Sequence, residues 1–152
     1  MHAYTATVRW NRAQEKFIDN RYSRSHEWEF DGGARVAASS SPLTVPLPMS
    51  VAANVDPEEA LIAATSSCHM LWFLWFAARA EWVVDSYLDS ASGVMEKNDV
   101  GKLAFKRISL CPKVVFSGPQ PTAEQLAQLH HDAHENCFIA NSLKAEIVIE
   151  TN

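Results

Sequence analysis

The stretch DPEEALIAATSSCHMLWFLWFAAR, residues 56 to 79, decides the fold. Asp56 can cap a helix, Pro57 suits the first helical position, and Glu59 stands where it closes a capping box. From there Leu61, Ala64, Thr65, Cys68, Leu71, Trp72 and Trp75 recur at helical spacing, and their neighbours are apolar too. The spacing predicts a long helix, enclosed on most sides, that ends near Arg79 or Ala80. Its most apolar part, Met70 to Ala78, is about half of the ~20 residues that span a bilayer. Thr65, Ser66, Ser67 and His69 precede it, so it reads as a core helix and not as a membrane span.

Outward from this helix the pattern is β on both sides. Ala3 to Trp10 alternates as a strand does, and Glu27 to Ala38 reads as a hairpin turned by Asp31-Gly32-Gly33. Between them and the helix, SSSPLTVPLP (39 to 48) carries three prolines and predicts an extended surface loop. After the helix, Trp82 to Met95 and Leu103 to Phe116 are β-like and are joined by a polar turn, Lys97 to Gly101, as one long hairpin. Ser117-Gly118-Pro119 then breaks the sheet. Thr122 caps a second helix with Gln125 three positions on, and Leu126, Leu129, Ala133 and Cys137 form its inward stripe. That helix is expected to end at Asn141 to Ser142, with Leu143 to Ile149 returning as a strand. The order of elements predicts an α+β domain with helices on one face of antiparallel sheet, and 152 residues suit a single domain, 1 to 152.

Composition narrows the function. At 47% hydrophobic and 20% charged the chain is an ordinary globular one, and its net charge of -5 gives no surface for nucleic acid or an anionic membrane. The N-terminus has no basic segment followed by an apolar one, so the cytosol is the expected location. In that reducing compartment three cysteines do not form permanent staples, and a pair points to catalytic or redox use. Cys68 and Cys137 each lie on the apolar stripe of a helix and can meet in one core, which suggests thiol redox chemistry. A thiolate attacks peroxide and becomes a sulfenic acid, and a second thiol condenses with it to a disulfide that an external dithiol reduces.

DPEEALIAATSSCHM (56 to 70) together with AHENCFIANS (133 to 142) resembles the OsmC/Ohr family of thiol peroxidases, over roughly Asn54 to Glu150. The resemblance implies antiparallel sheets around a long buried central helix, in an intertwined homodimer that reduces organic hydroperoxides or hydrogen peroxide. It implies Cys68 as the peroxidatic thiol, Cys137 as the resolving thiol and Glu58 as the active-site glutamate. It further implies an arginine from the N-terminal β region; Arg35, after the turn, is the candidate, with Arg24 as its rival and His69 as a substitute donor. An external dithiol, of lipoyl type as the family suggests, is the expected reductant, with no bound cofactor or metal. Ten helical residues separate Glu58 from Cys68, roughly 15 Å along the axis. A glutamate acting at that thiol must therefore come from a second copy, in a two-fold dimer with antiparallel central helices.

Each residue also has a plainer reading. A lone cysteine on an apolar helix is most often packing, as Cys111 in SLCPKV is expected to be. Glu58 and Glu59 suit the positive end of any helix, and His130, His131 and His134 suit a solvated face. Two other functions fit the residues: a zinc site of His130, His134, Cys137 and Cys68, and a Cys-His hydrolase or acyl-transfer enzyme pairing Cys137 with His134, or Cys68 with a distant histidine. A thiol sensor without turnover is a further, non-enzymatic reading.

Overall fold

The computed structural model describes residues 1–151, which carry eight strands and three helices. They fall into two compact units, Met1–Leu61 and a second from Ile62 onward.

In the first unit β1 (Ala6–Arg9), β2 (His26–Phe30) and β3 (Arg35–Ala38) form an antiparallel sheet in chain order. The expected hairpin is present: Trp28 pairs with Val36 and Glu29 with Arg35. Gly33 turns it at φ 86°, a left-handed conformation that costs glycine little. The first strand is shorter than the alternation from Ala3 to Trp10 predicts. Asp56 accepts a hydrogen bond from the Glu59 amide at 2.7 Å, and the Glu59 carboxylate accepts from the Asp56 amide at 3.2 Å. This capping box starts α1 (Pro57–Arg79), the helix read from the sequence.

In the second unit the long hairpin forms, but each arm is broken once. β4 (Val83–Asp89) pairs with β7 (Pro112–Ser117), and β5 (Ser92–Lys97) pairs with β6 (Leu103–Leu110). The two ladders follow one another along the same hairpin, with breaks at Ser90–Ala91 and at Cys111, and bulges after Val84 and Val94 add twist. The α+β class with antiparallel sheets holds, with one parallel addition: β8 (Glu146–Ile149) lies beside β6, Ile108 opposite Ile147.

Two expectations are corrected. The second helix does not run to Ser142. It divides into α2 (Ala123–Asn136) and α3 (Phe138–Ser142), with Cys137 extended between them at ψ 108°. The Cys137 sulfur accepts the Ala140 amide at 3.4 Å and so caps the restarted helix. The buried side of α1 also differs. Thr65, His69, Phe73 and Ala77 face inward in steps of four, whereas Leu71 and Trp75 are 60% and 46% exposed. Apolar residues all round the helix left the periodicity without a preferred side, and two of the four buried residues are polar. By length and composition α1 alone among the described residues could cross a membrane. Its Phe73 and Ala77 instead pack with Leu129 and Ala133 of α2 beside Trp82, Val84 and Phe116, as a core helix does.

Candidate active site

The middle of α1 presents Cys68 to a cleft of about 930 Å³, walled by Ser67, Leu71, Trp72, Trp75 and Phe138. The Trp72 and Phe138 rings meet edge to face at 5.5 Å, which fixes that wall. Cys68 is half-buried, and Cys137 behind it is only 1% exposed; both are free thiols. The structure brings the two together, the Cys68 side chain lying close enough to act on the Cys137 thiol. Burial pushes the Cys137 thiol up, and the Cys68 sulfur adds to the rise, while the Ala140 and Ile139 amides partly offset it. Cys137 is thus a thiol built to keep its proton. Cys68, at the cleft, is the sulfur that a small molecule reaches.

Glu58 lies in the first turn of α1, half-buried, with Oε2 enclosed and without a hydrogen-bond partner. The two arginine candidates differ. Arg35 is exposed on β3 and shared by two carboxylates, Glu29 at 3.4 Å and Glu27 at 3.6 Å. Arg9 first and Arg35 second hold the Glu29 carboxyl below its usual range. Arg24 is half-buried and stacks 3.7 Å over the Tyr22 ring. Its guanidinium donates to the Tyr22 carbonyl and to the Asn20 carbonyl and side-chain oxygen. No ion pair is formed by Arg24 among the described residues, and it lines a cleft of about 440 Å³ with Trp10, Phe17, Tyr22 and His26. An unpaired, pre-oriented cation of this kind can meet an anion; one shared by two carboxylates meets it poorly.

Of the three histidines of α2, His131 is exposed as a solvated face requires, whereas His130 and His134 turn inward. His130 is 4% exposed and hydrogen-bonds His69, itself 1% exposed, at 3.1 Å. Burial, together with the charges of His130 and His134, lowers His69 to about 4, and burial lowers His130 to about 4 although Asp89 opposes it. Sequence reading missed this pair; the signal was His69 one turn from both Thr65 and Phe73 on one stripe. It also missed Asp89, which accepts from the Ser66 hydroxyl and, at 2.6 Å, from the Cys111 amide. The Cys111 thiol points to Glu150 and is raised by burial first and by that carboxylate second.

Neither other arrangement assembles. His130, His134, Cys137 and Cys68 do not converge, and no three His, Cys, Asp or Glu side chains among the described residues are placed to share an ion. The His134 ring does not reach the Cys137 sulfur: its Nδ1 is buried without a partner, and the bond between the two residues joins the Cys137 amide to the His134 carbonyl.

A family model described as OsmC-like protein matches residues 51–152. An OsmC-like protein of unknown function from Vibrio cholerae is 55% identical, with 100% of both chains covered and a TM-score of 0.98. An organic hydroperoxide resistance protein from Elizabethkingia anophelis is 15% identical over 99% of this chain and 94% of its own, at a TM-score of 0.72. Another from Bacillus subtilis is 16% identical over 99% and 98%, at 0.65. At those two identities the likeness is one of fold. No curated protein matches the chain.

Proposed function

Since the chain belongs to the OsmC-like protein family, we propose that it is a thiol-dependent peroxidase that reduces organic hydroperoxides, working in the cytosol. The observation that carries this reading is the closeness of the enclosed Cys137 thiol to the cleft-lining Cys68. In the cycle the Cys68 thiolate attacks the distal peroxide oxygen. The O–O bond breaks, the alkoxide takes a proton and leaves as alcohol, and Cys68 becomes a sulfenic acid. Cys137 gives up its proton and attacks that sulfur, and water leaves as the disulfide forms. An external dithiol, of lipoyl type in this reading, reduces the disulfide and departs as its own cyclic disulfide.

The apolar and aromatic walls favour an organic hydroperoxide over hydrogen peroxide, because an alkyl or aryl group gains by leaving water there. The thiolate needs a cation. Arg24 is better suited than Arg35, since it has no carboxylate of its own to satisfy. Glu58, its enclosed oxygen unpartnered, is the acid that would hold that arginine. In this reading both act on the Cys68 of a second copy, as the length of α1 between Glu58 and Cys68 requires.

The test is peroxide consumption with a dithiol by the native protein, Cys68→Ser and Cys137→Ser. Cys68→Ser is expected to be inactive. Cys137→Ser is expected to complete about one turnover and then accumulate sulfinic acid at Cys68. Native-like consumption by Cys68→Ser would remove the mechanism.

A further inference from the structure

The buried histidines are not used by this cycle, yet they join the two helices that lead to its thiols. His69 directly follows Cys68 in α1, and His130 lies two turns before Cys137 in α2. Their rings are nearly parallel, 8° apart, and the facing atoms are Nε2 of His69 and Nδ1 of His130 at 3.1 Å. Phe73 closes the site, its ring 4.5 Å from His130, and Ala133 and Leu129 complete an apolar surround. Polar groups in such a place cost stability unless they are joined to each other. The join is therefore a definite tie between the helix that carries one sulfur and the helix that delivers the other.

We propose that the His69–His130 hydrogen bond is a positioning clasp for disulfide formation, holding Cys137 against Cys68, and that acid opens it. The clasp rests on the reading that these two thiols form a disulfide. Neither histidine touches the reacting atoms. Their part is to keep α2 seated, so that the Cys137 thiol reaches the Cys68 sulfenic acid and water leaves as the S–S bond forms.

One facing nitrogen must carry a hydrogen and the other a lone pair. A first added proton puts a charge into the apolar surround, and a second sets N–H against N–H and breaks the bond. The groups that bear on the pair are known from each packed element. His134 acts on His69 from α2, where its own Nδ1 is enclosed. From β4, Asp89 favours a charge on His130, and the enclosed Tyr87 phenol packs on Phe73. Asp89 is already engaged by Ser66 and the Cys111 amide, which weakens its help. The balance leaves the pair neutral near pH 7 and charged only toward pH 4.

The experiment follows the Cys68–Cys137 disulfide by alkylation and mass spectrometry, after oxidation with the neutral thiol oxidant diamide, from pH 7.5 to 4. The native protein, His130→Asn and His130→Ala are compared. Asparagine keeps a side-chain hydrogen bond but cannot take the proton. At pH 7.5 His130→Asn is expected within about twofold of native and His130→Ala about tenfold slower. Below about pH 5 the native rate should fall more steeply than that of His130→Asn. Native-like rates in His130→Ala, or an equally steep fall in His130→Asn, would overturn the clasp. Should His130→Ala fail to fold by circular dichroism, the native and Asn profiles still decide. Diamide bypasses peroxide, so a protein that forms the disulfide without consuming any hydroperoxide refutes the peroxidase and leaves the clasp standing.

Discussion

At the level of single side chains, the sequence drew attention to two cysteines and concealed what surrounds them. Cys68 and Cys137 stood out because each sits in a distinctive motif, and the structure sets them beside one another. The histidine pair was illegible because its members are 61 residues apart and each resembles an ordinary polar residue on its own helix. Arginine choice was equally hidden, since spacing cannot show that Arg35 is shared by two carboxylates and Arg24 by none. Arg24→Ala is accordingly expected to slow peroxide consumption by about a hundredfold, the loss typical of one charge-stabilising donor. Arg35→Ala should stay within about twofold, its ion pairs being exposed; steady-state kinetics of both variants checks the contrast. His69 and His130 give a second test. Each is near 4 in the folded chain against an ordinary 6.5, so the unfolded chain binds more protons between those values. Stability should therefore fall as the pH drops from 6.5 toward 4 and level off below. Urea unfolding at a series of pH values would show it, with a flatter profile in His130→Asn.

At the level of helices and strands, local chemistry was the most readable part. The capping boxes at Asp56–Glu59 and Thr122–Gln125 form as their residue types dictate. Removing the second by Thr122→Ala should cost about 1 kcal/mol, measured by chemical denaturation. What local pattern could not show was the break of the long hairpin into two ladders, or the parallel return of β8, because both depend on what packs above the sheet. Gly93 in β5 is an example. A Cβ there would meet the Phe105 ring at 2.5 Å and Ile62 of α1 at 3.0 Å, so the sheet and helix approach each other only because that side chain is absent. Gly93→Ala should destabilise the protein by about 1–3 kcal/mol, whereas the same change at a strand position with open space should not.

For the chain as a whole, the family and the α+β class were legible because two separated motifs and the order of elements agreed. The orientation of α1 was not, since a helix apolar on every side has no preferred inward face until its partners are known. Its outward residues, Leu71 and Trp75, remain exposed in one chain and flank the Cys68 cleft. Sedimentation velocity is expected to give about twice the 16.9 kDa chain mass, and Trp75→Glu to shift the protein toward the lighter species. One further consequence comes from the sulfur that begins α3. As a thiol, Cys137 accepts the Ala140 amide; as half of a disulfide it is a poorer acceptor, and the short helix loses its anchor. Phe138, next in the chain, walls the cleft. On the proposed peroxidase reading, oxidation would slacken the backbone beside the cleft, and faster deuterium uptake at Ala140 is the expected sign of the Cys68–Cys137 disulfide.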